Sequence, residues 1–190
     1  MDTYIIQTDE LALAEQVRLR AGAEQRGKQL LLDKKLINSL GDAICRDADY
    51  VNDFVPAATR VGLAGWLTVP LAAVGTAYSV FANNVGVALV PIVPNRQVWV
   101  FYKASVLTAG DPVTMLAFFM GVAAIPIALF DLENTQAKLS ADGYFSTPIV
   151  YEPQDSVAIT VRARLAPGVG VRVKLGALIC EPSGNTLAIK

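Results

Sequence analysis

The 190-residue chain has no histidine, only two cysteines, and few charges, 17% of residues against 53% hydrophobic ones. Histidine is the side chain that titrates nearest neutral pH and the commonest nitrogen ligand of zinc. Ser-His-Asp catalysis, Cys-His catalysis and histidine-containing metal sites are therefore excluded by composition. Cys45 and Cys180 suffice at most for one bridge or two thiolate ligands. They build neither a disulfide framework nor a four-thiolate zinc site, and plain buried or half-buried thiols are the expectation. Neither sign of charge is in excess, 17 acids against 16 bases, which gives no basis for a nucleic-acid binder that works by neutralising phosphates.

Phosphate-cradling and acid–base motifs are missing as well. No Gly-Lys-Ser/Thr exists, and Gly168-Val169-Gly170 lacks the third glycine and the strand-to-helix setting of a dinucleotide loop. Glu152 with Asp155, and Asp131 with Glu133, are short acidic pairs beside strands, a pattern typical of solvated turns. No catalytic, metal-binding or cofactor-binding constellation emerges, and the expectation is a non-enzymatic protein without a small-molecule substrate. Met1-Asp2-Thr3-Tyr4 shows no basic-then-apolar leader, so synthesis in a reducing cytoplasm is expected.

What is present is unevenly placed. Residues 1–60 hold 10 of the acids and 8 of the bases, whereas residues 61–130 hold only Arg96, Lys103 and Asp111. Mean hydropathy is +0.42, too apolar for a disordered chain. From residue 8 to about residue 40 apolar residues recur at threes and fours. Thr8 is placed to cap, Asp9 and Glu10 complement the helix dipole, and Gly41 is placed to stop the helix. Gly22 and Gly27 each weaken a helix by about 1 kcal/mol relative to Ala, so a break there is expected, and a second helical stretch is expected over 42–54. These features predict an N-terminal helical arm, residues 1–58, which either packs on its own domain or reaches a neighbour.

Residues 59–190 read as strands. Gln97 to Lys103 is dense in β-branched and aromatic residues after the turn signal Pro94-Asn95, and further strands are expected near 85–92, 113–120, 124–132 and 147–151. Breaks are expected at Asn83-Asn84, Gly110 to Pro112, Gly121, Asp142-Gly143 and Pro153 to Asp155. Residues 157–164 and 171–179 alternate cleanly around the turn at 165–170, which predicts a two-stranded antiparallel unit with one apolar face. Arg162, Arg164, Arg172 and Lys174 would then share its other face as one basic patch. About eight short strands with regular turns predict a mainly β fold, a jelly-roll-like antiparallel β-sandwich.

Two uncharged runs, the 22 residues 61–82 and the 19 residues 112–130, are each long enough to span a bilayer. Their glycines and prolines and the absence of flanking Lys/Arg clusters favour strands buried on both faces instead. Along Met115-Leu116-Ala117-Phe118-Phe119-Met120 nothing alternates, so both faces of such a strand avoid water. Exposing one of them would cost several kcal/mol at roughly 25 cal/mol per Å2, and an oligomer is expected. Trp66, Trp99, Met115, Phe118, Phe119 and Met120, with the basic residues named above, are the interface candidates.

Several phrases together resemble a known group. They are Arg96-Gln97-Val98-Trp99-Val100-Phe101-Tyr102-Lys103, then Gly110-Asp111-Pro112-Val113-Thr114-Met115, then Ala128-Leu129-Phe130-Asp131-Leu132. Gly143 through Pro153 and Leu175 through Pro182 complete the series. Over residues 85–185 the chain resembles the small β-sandwich capsid decoration, or cement, proteins and minor head proteins of tailed bacteriophages. The resemblance implies a jelly-roll-like subunit, commonly trimeric, that sits on the capsid in the virion and binds the major capsid protein after assembly in the host cytoplasm. It implies no specific nucleic-acid partner. A single-jelly-roll major coat protein and a small membrane protein spanning at 61–82 and 112–130 are the competing expectations.

Overall fold

A computed structural model describes residues 4–48, 67–70, 75–81, 89–106, 113–121, 125–131, 142–164 and 170–184. In chain order they form β1 (Ile5–Gln7), α1 (Leu13–Asp33), β2 (Ala43–Ala48), β3 (Leu67–Pro70), β4 (Ala77–Ser79), β5 (Val98–Val106), β6 (Val113–Met120), β7 (Ala128–Asp131), β8 (Asp142–Tyr151), β9 (Val157–Ala163) and β10 (Gly170–Pro182). Sheet one runs β1-β8-β5-β10-β2, with β3 also on β10; sheet two runs β4-β9-β6-β7.

The order of the last eight strands is that of a long hairpin rolled up on itself. β3 pairs with β10, β4 with β9, β5 with β8 and β6 with β7, all antiparallel. The seams β10·β5 and β9·β6 then close the two sheets. This is a jelly roll, a mainly β antiparallel sandwich, as the strand count suggested. β1 and β2 extend sheet one, β2 sharing one edge of β10 with β3: β3 takes residues 170–173 and β2 takes residues 177–182.

Between the sheets the inward positions of each strand form one core, including Trp99, Phe101, Leu116, Phe118, Phe130, Phe145, Tyr151 and Ile159. Phe118 is its hub, with ring centroids 5.6 Å from Phe101, 5.9 Å from Phe130 and 5.5 Å from Phe145, mostly edge-on; Phe130 and Phe145 stack at 4.2 Å. A second core lies on the other side of sheet one. There Ala23, Leu30 and Leu31 of α1 pack with Ile37 and Ala43 on Val98, Val100, Tyr102, Tyr144, Leu178 and Cys180. Sheet one is buried on both faces, which is why Val98 to Tyr102 is apolar without alternation.

Of the two placements expected for the segment 1–58, the described helix takes the first and packs on the β domain. The segment's described part supplies two strands of sheet one and the helix that covers it. The expected deviations are instructive. The helix begins after Ala12, whose N–H donates to Glu15 Oε2 at 3.0 Å, not at Thr8, which lies in a 3-10 turn with its hydroxyl buried and unpartnered. It ends at Asp33 with Lys35 in the left-handed conformation (φ 58°) and a bond from Leu36 N–H to Leu31 O, so Gly41 is not the stop. No break occurs at Gly22 or Gly27. The stretch expected to be a second helix contains β2, because its edge position on β10 outweighs a weak local preference.

The largest correction concerns β9 and β10. Both strands exist, but they are not partners: the chain crosses from sheet two to sheet one between them, and each faces the core from its own side. Asp142-Gly143 is likewise not a break but the start of β8. A Cβ on Gly143 would run into Ile5 Cγ2 and come within 3.3 Å of the Ile6 carbonyl, so a glycine here lets β1 lie close against β8. The expected breaks at Gly121 (φ 62°) and at Pro153 to Asp155, where Gln154 has φ 73°, are turns. Of the strand expected at 85–92, the described residues 89–92 form no strand and carry only an isolated bridge from Ile92 to Ser156; the breaks at Asn83-Asn84 and Gly110 to Pro112 lie outside the described residues.

Gly27 decides how closely α1 approaches sheet one. A Cβ built there meets Cys180 Sγ at 2.6 Å and Val100 Cγ2 at 3.1 Å, whereas one built on Gly22 meets nothing within 4 Å. Gly27→Ala is therefore expected to lower the unfolding free energy by about 1–3 kcal/mol through overpacking, despite its helix preference. Gly22→Ala should raise it by about 0.5–1 kcal/mol. Urea denaturation midpoints of the two variants measure both signs.

Candidate interaction surface

Sheet one wears a helix; among the described residues nothing covers the outer face of sheet two. On β6, Leu116 and Phe118 turn into the core, so Met115, Ala117 and Phe119 turn outward. A bulge between Val113 and Met115 sets that phase. With Leu129 of β7, Ala77 of β4, Thr160 and Arg162 of β9, and Pro126, they line a shallow depression of about 340 Å3. Beside it, Met120, Ile127 and Leu129 are 45–46% exposed and Ile125 is 80% exposed. Exposed apolar residues thus gather at β6, β7 and the turn between them, and β7 is the edge strand of the sheet.

The face is held from beneath. Tyr151 of sheet one spans the core, and its hydroxyl donates to the Phe119 carbonyl of β6 at 2.9 Å. Burial, and then the charge of Asp155, push the Tyr151 phenol well above its ordinary pKa.

Of the candidate residues, Met115 and Phe119 lie on this face, Met120 lies at its end, and Phe118 lies beneath it in the core. Trp99 is also a core residue, its indole N–H donating to Gln97 Oε1 at 3.1 Å while Gln97 Nε2 donates to Glu181 at 2.7 Å. Trp66 lies outside the described residues. The single basic patch does not form. Arg162 and Arg164 belong to the sheet-two side, exposed, with Arg162 Nε donating to Gly75 O at 2.9 Å. Arg172 and Lys174 belong to β10 in sheet one, so the four residues do not sit on neighbouring strands. Alternation within each strand gave the correct phase, but which sheet each strand joins is a long-range property.

Sequence reasoning missed Leu129, Ile125, Ile127 and Pro126 as part of the face. The signal was there, in the uncharged run 112–130 that carries both sides of β6 and β7. It also missed the bond between its two cysteines. Cys45 of β2 and Cys180 of β10 are direct cross-strand partners, Cα to Cα 4.0 Å, and are joined as a disulfide rather than standing as two thiols. The bridge lies beneath α1, against Gly27.

The helix is tied down by charge as well. Arg20 makes a forked contact with Asp47 of β2, at 3.2 and 2.7 Å, and Asp47 also accepts from the Tyr102 hydroxyl at 3.3 Å. Lys34, just past the helix end, pairs with Glu152. These exposed pairs orient α1 more than they stabilise it.

No protein-family model and no curated protein matches this chain.

What the arrangement can do is associate. Among the described residues no three metal-ligating side chains come together, and no helix is long and apolar enough to cross a membrane. The described parts of the two uncharged runs contain strands joined by turns: β3 and β4 in the first, β6 and β7 in the second.

Two measurements check this site. The unfolded, unreduced chain should show no titratable thiol. The Cys45→Ala/Cys180→Ala variant, which opens a loop with a sequence separation of 135, should lose about 2–5 kcal/mol of stability. Tyr151, whose folded pKa is raised from 10.0, holds its proton more tightly when folded. Its contribution is thus complete below about pH 10 and is lost as pH climbs further, at up to about 1.4 kcal/mol per pH unit. Tyr151→Phe should start about 1 kcal/mol lower, for the lost hydrogen bond, and decline less steeply above pH 10.

Proposed function

We propose that the chain is a structural subunit of a virus particle, a capsid cement or decoration protein of the tailed-phage kind. It associates with its own copies, as a trimer, through the outer face of sheet two and fastens to the major capsid protein by the rest of its surface. One observation carries the reading: sheet one is sealed by α1 while sheet two presents Met115, Phe119, Leu129 and their neighbours with no covering element among the described residues. A subunit that buried this face against a neighbouring copy would remove apolar surface from water at roughly 25 cal/mol per Å2, and three head-to-tail contacts of this kind would close into a ring. Jelly rolls recur in viral capsid domains, which supports the assignment by analogy of fold.

The disulfide fits a particle that is assembled in the cytoplasm and leaves it, since such bridges persist in oxidising surroundings and at virion surfaces. The mechanism needs no reacting group. It rests on burial of β surface, with charge at the rim setting register.

A second reading, a shell-forming coat subunit, is favoured by another observation. Leu13 and Val17 on α1 are 76% and 61% exposed, a second apolar place distinct from sheet two, as a subunit with two kinds of neighbour would carry.

Size-exclusion chromatography with light scattering, in the absence of detergent, tests the proposal. A discrete trimer is expected, and Leu129→Lys should convert it to monomer with an unchanged circular dichroism spectrum, weakening association by about 2 kcal/mol, roughly thirtyfold. Closed shells would transfer the assignment to the coat reading. A monomeric native protein, or one that dissolves only in detergent, would overturn it.

A further inference from the structure

A second concavity lies on the opposite side of the molecule, between the first half of α1 and strands β1, β5 and β8. Its volume is about 600 Å3, within the range of about 300–1,000 Å3 of small-molecule sites. Ile6, Leu11, Leu19, Tyr102 and Pro148 give it an apolar lining, and Arg18, Gly22 and Arg26 line its helix side.

The spacing of those three residues matters. Four residues apart, Arg18, Gly22 and Arg26 fall on one face of α1, and the two arginine backbones are about 12 Å apart along the axis, within reach of one headgroup between them. Gly22 stands midway, and the space above it is open: a Cβ there meets nothing within 4 Å. Elsewhere on the helix charge is matched, Arg20 with Asp47 and Glu24, and Lys28 with Glu24. Arg18 and Arg26 have no carboxylate within 4.0 Å among the described residues. Glu15, the acid nearest them in the lining, is engaged with the Ala12 N–H at 3.0 Å.

We propose that this groove binds a single-chain anionic amphiphile of the fatty-acid class, with the acyl chain along the apolar lining and the carboxylate over Gly22 between Arg18 and Arg26. An extended peptide suits the groove less well, because its N–H and C=O groups would meet apolar side chains and remain unpaired, whereas an acyl chain has none to satisfy. Each methylene moved out of water favours binding, and guanidiniums on both sides of the headgroup can donate charge-assisted hydrogen bonds to a carboxylate. The proposal stands whether or not the chain is a virion protein, since it uses no residue of sheet two.

The test is displacement of cis-parinaric acid, fluorescent in apolar sites, from the full-length protein by palmitate and by hexadecanol, with phosphatidylglycerol vesicles as a third competitor. Palmitate should displace the probe at about one-tenth the concentration hexadecanol needs. The Arg18→Gln/Arg26→Gln variant should erase that difference. Gly22→Leu, which fills the groove with a better helix former and so keeps the fold, should lower affinity for both competitors by more than tenfold while raising the melting temperature. Three results would overturn the proposal: equal competition by palmitate and hexadecanol, undiminished binding by Gly22→Leu, or displacement by the vesicles alone. Undiminished binding in that variant would place the probe elsewhere, on the sheet-two face for example.

Discussion

The approach of α1 to the Cys45–Cys180 bridge organises this molecule. A glycine at position 27 is what allows the helix axis to settle onto β10, since any larger residue would meet the Cys180 sulfur. Once the helix is seated there, Val98, Val100, Tyr102, Tyr144 and Leu178 are out of water and sheet one is finished on both sides. Sheet two has no such element among the described residues, and the asymmetry between the sheets follows directly. The chain closes the apolar outer face of sheet one with its own helix, and among the described residues nothing closes that of sheet two.

Much of this fold was readable before any coordinates. β5, β6, β9 and β10 lie where β-branched and aromatic residues cluster or alternate, and β6 coincides with the expected 113–120 because eight residues without a charge admit few other fates. The pairing of β9 was not readable. A period of two tells which side of a strand is dry but is silent about the neighbour across the hydrogen bonds, and a short turn between two alternating strands looks the same whether they pair or separate into opposing sheets. β2 was misread for a related reason. Arg46 and Asp47 in a short mixed-charge stretch give no strong local preference, and the bonds to residues 177–182 that fix it are more than a hundred residues away.

The candidate surface was half legible. Unbroken apolarity from Met115 to Met120 marked β6 as a strand with two dry faces, and the structure divides it into Phe118 for the core and Phe119 for the outside. A single face for the basic residues requires β9 and β10 to be partners, and these strands belong to different sheets. Gly27 shows the limit most plainly. As a letter in a helical pattern it reads as weakness, and only the sulfur beneath it reveals a close contact.

The position of the disulfide also determines how the chain would answer a pull. Cys45 and Cys180 enclose the roll from β3 to near the end of β10, so tension applied between the two termini travels through the covalent bond and bypasses the strands between. Only the segments outside the bridge, the helix among them, would be stretched. Cut by a reductant, the same chain would bear the load on its hydrogen bonds.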